Sequence, residues 1–296
     1  MHPPYDEIPF DDPSFWYDYI STCRRHNLPP TYLHRYLEST YSIDIFSNHT
    51  LSIVSKIPDL RSLYNLSLPH QRIFLDSEHL TSLNGLSNLH LPNLTAFYLL
   101  CRYHSSPIDI TELQSFRSDT LHSISIFGNF QSIPPLHLPS IHVLTLNLEN
   151  SDSPFLDLSF LNSSHLRNLQ SLTIVNPNPS QLANIDWPLF PNLKVLTLRS
   201  VPSHSQPFIF PPSLSHIVNL YIYGFPTKFQ SPIHLHNLTT TQLSLNLSSD
   251  IHYLSSQNLK TAFFELQPDN TPFLFHHPPS SIIRTSLMYP KSPFSP

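Results

Sequence analysis

The stretch FPNLKVLTLRS, residues 190–200, places Phe190, Leu193, Leu196 and Leu198 at spacings of three, three and two. The step of two is that of a strand with one face buried, because successive side chains of a strand point to opposite faces. The earlier leucine turns the chain into the core. A strand this short cannot bury its apolar face alone, so its meaning depends on whether the pattern recurs.

Aligned on Leu196, the chain offers Leu66, Phe97, Ile124, Leu144, Leu172, Leu196, Leu220 and Leu243, at intervals of 31, 27, 20, 28, 24, 24 and 23 residues. Two residues on stand Leu68, Leu99, Ile126, Leu146, Ile174, Leu198, Ile222 and Leu245. Three residues before stand Leu63, Leu94, Leu121, Ile141, Leu169, Leu193 and Ile217, and only the last copy departs, with Thr240. Hydrophobic residues make up 40% of the chain, so fifteen matches in sixteen places exceed what chance supplies. Weaker copies are expected at Ile43 and Ile45 and near Leu259, and the longest interval leaves room for an irregular one near Ile73 and Leu75. Prolines recur ahead of the strands in LPNL (91–94), LPSI (138–141), FPNL (190–193) and PPSL (211–214), where a missing N–H costs least.

This pattern resembles the leucine-rich repeat, L-x-x-L-x-L-x-x-N, whose copies recur every 20–29 residues or so. The resemblance covers residues 41–267. It implies an α/β fold: a curved leucine-rich-repeat solenoid with a parallel β-sheet on the concave face, a convex side of loop and 3₁₀ turns, and an N-terminal helical cap. Each copy buries its apolar face only by stacking on its neighbours. FGNFQSIP (127–134) and PPSLSHIVNLYIYGF (211–225) also resemble the FNIP type of repeat. The family's ninth-position asparagine is clear only at Asn129, whereas Glu149, Pro177, Val201 and Phe225 hold that place in other copies. Uneven turns are therefore expected.

Composition narrows the function. The 296 residues carry a formal charge of −5, and only 12% are charged, so no basic patch points to nucleic acid. The opening MHPPYDEIPFDD lacks the apolar core of a secretory signal, and no apolar run reaches the length of a membrane span. A cytoplasmic or nuclear protein, not secreted and not membrane-bound, is the expectation. Cys23 and Cys101 cannot build a disulfide framework. The six N-x-S/T triplets, at Asn48, Asn65, Asn93, Asn162, Asn237 and Asn246, are read as chance matches in a Ser-rich chain.

The three glycines cannot supply a phosphate loop or a dinucleotide fingerprint, and HExxH, CxxC and GxSxG are all missing. His234 and His236 alternate on one strand face without a carboxylate or cysteine cluster. Neither catalytic residue, metal nor cofactor is expected. The scarce residues, with 3 Gly, three Ala and six Val, are those whose codons begin with guanine. A gene remnant without selected function is a further reading of that bias, against which the fifteen matches stand.

At the N-terminus, DPSFWYDYISTCRRH (12–26) carries Asp12 as a cap, Pro13 at a first helical position, and Phe15, Trp16, Tyr19, Ile20 and Cys23 on one helical face. Residues 1–40 are thus read as a helical cap. The alternative is a degenerate F-box, the module that docks on the adaptor of a cullin-type ubiquitin ligase, with the repeats as substrate receptor. IPFDDPSFW (8–16) matches that module's opening poorly. Residues 268–296, rich in Pro and Ser, read as a disordered tail; Pro290 and Pro293 form a PxxP in it.

In the resembled architecture the residues flanking the core leucines line the concave face. The central row would be Tyr98, Ser125, Thr145, Thr173, Thr197, Tyr221 and Ser244, and the next Leu100, Phe127, Asn147, Val175, Arg199, Tyr223 and Asn246. Protein binding is expected at Tyr98, Phe127, Asn147, Thr173, Arg199, Tyr221 and Tyr223. Tyr and Arg are enriched where binding energy concentrates. The expected function is a non-enzymatic module, a monomer, that holds a protein partner.

Overall fold

A computed structural model describes residues 41–47, 50–55, 60, 71–77, 80–101, 107–130, 132–148, 158–200, 207–229, 233–245, 254–255, 258, 260–266 and 283–286. The expected helical cap, the F-box reading of residues 1–40, and the copy at Leu66 and Leu68 lie outside these residues. The chain is α/β, with a mostly parallel sheet and few helices. It divides into two compact units, Met1–Ile141 with Asn147–Phe160, and His142–Leu146 with Leu161–Pro296.

The first unit contains β1 (Tyr41–Ser47), β2 (Thr50–Ser55), β3 (Arg72–Ser77), β4 (Ala96–Cys101) and β5 (Ser123–Gly128), hydrogen-bonded in that order. From β2 onward the pairing is parallel and keeps one register: Leu51 beside Ile73, Ile73 beside Phe97, Phe97 beside Ile124. These residues are 22, 24 and 27 apart. The copy expected near Ile73 and Leu75 is therefore a regular strand. Ile43 and Ile45 correct the sequence reading. They lie on β1, which pairs antiparallel with β2, Ile43 facing Ile53 and Ile45 facing Leu51. Alternation is the same for a hairpin strand and a parallel one, so spacing could not separate them.

The second unit contains β6 (Val143–Asn147), β7 (Ser171–Val175), β8 (Val195–Arg199), β9 (Phe208–Ile209), β10 (Asn219–Lys228), β11 (Ile233–His234), β12 (Thr240–Leu245), β13 (Leu254–Ser255), β14 (Thr261–Leu266) and β15 (Ile283–Ser286). Its main sheet runs β6-β7-β8-β10-β12-β14-β15, with β9 along the far half of β10 and β11 paired with β13. Leu172, Leu196 and Leu220 stand side by side, and the register continues through Thr241, Ala262 and Ile283 at intervals of 21 residues. β15 lies within the stretch read as a tail.

That register corrects the last aligned copy. Thr241, not Leu243, pairs with Leu220, and Leu243 takes the second place beside Ile222. The leading residue is then Leu238, fully buried, and the apparent lapse at Thr240 disappears. A hydrophobic count favoured Leu243, but a β-branched threonine also fits a strand. Thr241 is only 1% exposed, and its Oγ1 has no hydrogen-bond partner. A buried hydroxyl without a partner costs about 1–3 kcal/mol. Thr241→Val, which puts a methyl where the hydroxyl was, is expected to stabilise the chain by about 1 kcal/mol, read as a higher urea midpoint with unchanged slope.

One turn repeats before the strands. The N–H groups of Leu94, Ile141, Leu169, Leu193, Ile217 and Leu238 donate to the carbonyls of Leu91, Leu138, Leu166, Phe190, Leu214 and Leu235 at 3.0–3.4 Å. All but Leu91 of these twelve residues are buried. The prolines of LPNL, LPSI and FPNL fall inside this turn, while PPSL lies one turn earlier, at the 3₁₀ segment Pro212–Leu214. Each strand then opens on a shared acceptor: Lys194 and Val195 donate to Gln170 O, Val218 and Asn219 to Lys194 O, and Thr239 and Thr240 to Val218 O.

Strand exits repeat as well. Gly128, Asn176 and Gly224 each lie four residues beyond the first core residue of their strand, and all have positive φ, at 151°, 58° and 71°. Asparagine and glycine are the residues that tolerate this conformation. Among the described residues the returns between strands include short 3₁₀ turns, such as Leu86–Asn88, Thr111–Gln114 and Trp187–Leu189, and one five-residue helix, α1 (Pro179–Ala183). Asn178 and Gln181 close a capping box on α1. Trp187, Phe190, Phe208, Phe210 and Phe229 pack ring against ring behind the sheet of the second unit, with centroids 5.5–6.4 Å apart. Asn162, one of the N-x-S/T residues, uses its side chain here: Nδ2 donates to Asn184 O at 3.0 Å, and Oδ1 accepts from Asp186 N at 2.7 Å. Among the described residues no helix is long and apolar enough to cross a membrane.

Candidate functional site

Alternation along each strand decides which side chains leave the core. In β8, Leu196 and Leu198 are fully buried while Val195 and Thr197 are partly exposed and Arg199 is exposed. In β10, Leu220 and Ile222 are fully buried, and Tyr221 and Tyr223 between and after them are half-buried. The parallel register sets Thr173 beside Thr197, Thr197 beside Tyr221, and Arg199 beside Tyr223. Neighbouring strands are about 4.8 Å apart, so Thr173, Arg199, Tyr221 and Tyr223 share one face of the second unit.

The corrected register adds a residue that the sequence reading missed. Gln242 pairs with Tyr221, and its Oε1 accepts a hydrogen bond from the Tyr223 hydroxyl at 2.8 Å. Gln242 therefore takes the central-row place assigned to Ser244, and Ser244 the place assigned to Asn246. The signal was present in Leu238, three residues ahead of Thr241, but was masked by the preference for leucine at the strand. Arg199 O in turn accepts from Asn176 N at 2.6 Å, which ties the end of β8 to the turn leaving β7.

Tyr223 holds its phenolic proton more tightly than an ordinary tyrosine. Burial raises its pKa, the charge that Tyr221 would carry raises it further, and Arg199 works in the opposite direction. The folded chain thus binds this proton more strongly than the unfolded chain. The stability it contributes is complete below the ordinary tyrosine value and is lost as pH rises through the higher folded value. Tyr223→Phe removes both the titration and the bond to Gln242. Its stability is expected to sit about 1 kcal/mol lower near neutrality and to fall less steeply than the parent's above about pH 10.

In the first unit, Tyr98 lies flat on Phe74 of the adjacent strand, centroids 4.2 Å apart and planes 4° from parallel. Phe127, half-buried, stands beside Leu100 in the next row. Phe74 was not among the expected site residues because the copy carrying it was left out of the alignment. Asn147 departs from expectation: at 8% exposure it is buried and offers little to a partner. No family model, no curated protein and no solved structure matches this chain.

Among the described residues no group of three or more His, Cys, Asp or Glu is placed to hold a metal ion. The rings of His234 and His236 stack with centroids 5.9 Å apart, but they do not share a strand face as expected, because β11 ends at His234 and His236 lies in the turn that follows. Cys101 is buried. The face of β8, β10 and β12 presents two phenol rings, a guanidinium, a carboxamide and threonine hydroxyls.

Proposed function

We propose that the chain is a leucine-rich-repeat solenoid whose sheet face holds a protein partner without catalysis, in the cytoplasm or nucleus. The recurring turn before the strands, the constant register and returns built of 3₁₀ segments support the repeat reading. The observation that carries the function is the corner formed by Arg199, Tyr221, Tyr223 and Gln242, where the Tyr223 hydroxyl bonds to Gln242 at 2.8 Å. A tyrosine held in this way loses little rotamer freedom on binding, which is what an anchor residue needs.

The test is quantitative affinity purification of the chain alongside Tyr221→Ala/Tyr223→Ala, with folding checked by circular dichroism. Loss of two anchors is expected to lower capture of the partner at least about thirtyfold. Capture that is unchanged in the folded double variant removes the assignment. A deletion of residues 1–40 run in parallel reads the adaptor of a cullin-type ligase separately. Its retrieval by the parent and loss on deletion would make the partner a ligase substrate.

A further inference from the structure

We infer that the face of β8, β10 and β12 takes an acidic peptide, and that Arg199 holds the carboxylate of an Asp or Glu side chain in it. The inference rests on the reading of this face as a binding surface and names the kind of partner it takes. The outward places of β7 and β8, of β10 as far as Tyr223, and of β12 as far as Gln242 carry Ser, Thr, Val, Asn, Tyr and Gln, and Arg199 is the single charged residue among them. Arg199 is exposed, and among the described residues no carboxylate pairs with it. The first acidic residue that the register brings to the sheet on that side, Glu265, is on β14, three strand spacings or about 14 Å from β8.

The face has the parts that such a ligand uses. A guanidinium is always charged and offers five N–H donors in a planar fork that matches a carboxylate. Register sets Val175 beside Arg199 on one side and Tyr223 on the other, so a peptide laid over these strands covers the guanidinium between an aliphatic and an aromatic side chain. A charge-assisted bond shielded from water in this way is stronger than one on an open rim. The neighbours add donors. Tyr223 donates its proton to Gln242 Oε1 at 2.8 Å, which leaves the N–H groups of that carboxamide to donate. The Tyr221 and Thr197 hydroxyls stand two residues back on β10 and β8. A carboxylate only accepts, so it complements a face of donors that carries no anion of its own.

Charge and backbone geometry select an internal Asp or Glu over other anions. One guanidinium balances one carboxylate. A phosphate group carries about −1.5 to −2 near neutrality and is ordinarily met by a cluster of arginines. Here the next cation along the strand, Lys194, precedes the opposite end of β8, about 16 Å away. A C-terminal carboxylate is captured by a nest of backbone N–H groups. At this end of the sheet those groups are engaged, since Asn176 N donates to Arg199 O at 2.6 Å and Ser200 N to Tyr223 O at 3.0 Å. Tyr221 sets the second contact. It lies diagonally from Arg199, at about 7–8 Å, and residues two apart in an extended peptide are separated by about 7 Å on one side of it. The expected motif is therefore Asp or Glu two residues from a bulky apolar residue.

The experiment selects binders to the full chain from a random library of short peptides displayed on phage, then measures each selected peptide, labelled with fluorescein, by anisotropy. The selected peptides are expected to share Asp or Glu at one place, with an apolar residue two away. They are expected to bind Arg199→Gln at least about tenfold more weakly than the parent, and Arg199→Lys with an intermediate loss, because lysine keeps the charge without the fork. Changing the acidic residue to Asn or Gln should cost the parent the same factor and cost Arg199→Gln little, as two residues in direct contact require. Arg199 is exposed, so the variants are expected to fold, and circular dichroism checks that they do. Selected peptides with no shared acidic residue, or acidic ones that bind Arg199→Gln as well as the parent, overturn the inference, as does a library that yields no binder. Tighter binding with phosphoserine in place of the acidic residue, or binding lost when the peptide's C-terminus is amidated, overturns it as well. Binding that falls in Tyr221→Ala/Tyr223→Ala but not in Arg199→Gln would sink the inference and leave the proposed function standing. Binding that falls in Arg199→Gln but not in the tyrosine variant would do the reverse.

Discussion

Gly224→Ala is expected to destabilise the chain by about 3 kcal/mol, measured as a lower urea or thermal midpoint. Two separate causes add. Gly224 has φ of 71°, where any residue with a Cβ loses about 1–2 kcal/mol. A Cβ built there would also lie 2.2 Å from Ser200 O, a backbone atom. That carbonyl has little room to retreat, because Ser200 N already donates to Tyr223 O at 3.0 Å, holding the two strand ends together. Gly224→Asn separates the causes. Asparagine is at home at this φ, as Asn176 is in the equivalent place, but it keeps the Cβ. It is therefore expected to recover only the conformational part and to remain about 2 kcal/mol below the parent. Gly128→Ala meets Cys101 O at 2.7 Å and should behave in the same direction.

Phe190→Ala is expected to cost about 3–5 kcal/mol, the range for removing a fully buried phenylalanine. Phe190 is 0% exposed, its ring packs 6.2 Å from that of Trp187, and its carbonyl receives Leu193 N at 3.2 Å. The void would open where the chain turns into β8. Phe190→Leu should cost less than about 2 kcal/mol, since Leu138, Leu166, Leu214 and Leu235 fill the same place in the turn of other copies. A leucine variant as damaged as the alanine one would mean that the turns are not equivalent, and would count against the repeat. Denaturant unfolding of the three chains side by side reads the difference directly.

Apolar spacing carried most of the fold. Leu172 and Ile174, Leu196 and Leu198, and Leu220 and Ile222 could be set side by side from sequence because a parallel stack repeats one buried face. The failures have particular causes. Thr241 occupies a leucine place with a hydroxyl that a hydrophobicity count discards. Ile43 and Ile45 alternate as a parallel strand would, yet form a hairpin. The exit turns were sought at a ninth-position asparagine, whereas Gly128, Asn176 and Gly224 carry them one residue earlier. Two of the three glycines in the chain stand at this one place, a coincidence visible in the sequence.

The candidate site was legible to the same extent as the strands. Alternation gave Thr173, Arg199, Tyr221 and Tyr223 as outward residues, and the register brings them together on one unit. Gln242 and Phe74 were missed because their copies were misaligned or left out, and Asn147 was misjudged because an outward place in a row does not guarantee exposure.

The turn before the strands, the paired core residues and, at three strands, the positive-φ exit recur, while the distance from one copy to the next varies from 20 residues to 28. All of that variation falls in the returns. Lengthening a flexible loop twofold costs only about 0.6 kcal/mol in closure entropy. A peptide of several residues spliced after Asp119, in the exposed return before β5, should therefore leave the pitch of the sheet unchanged. The chain is built to absorb insertions one copy at a time, so grafted loops and duplicated copies are its least disruptive routes to a new binding surface.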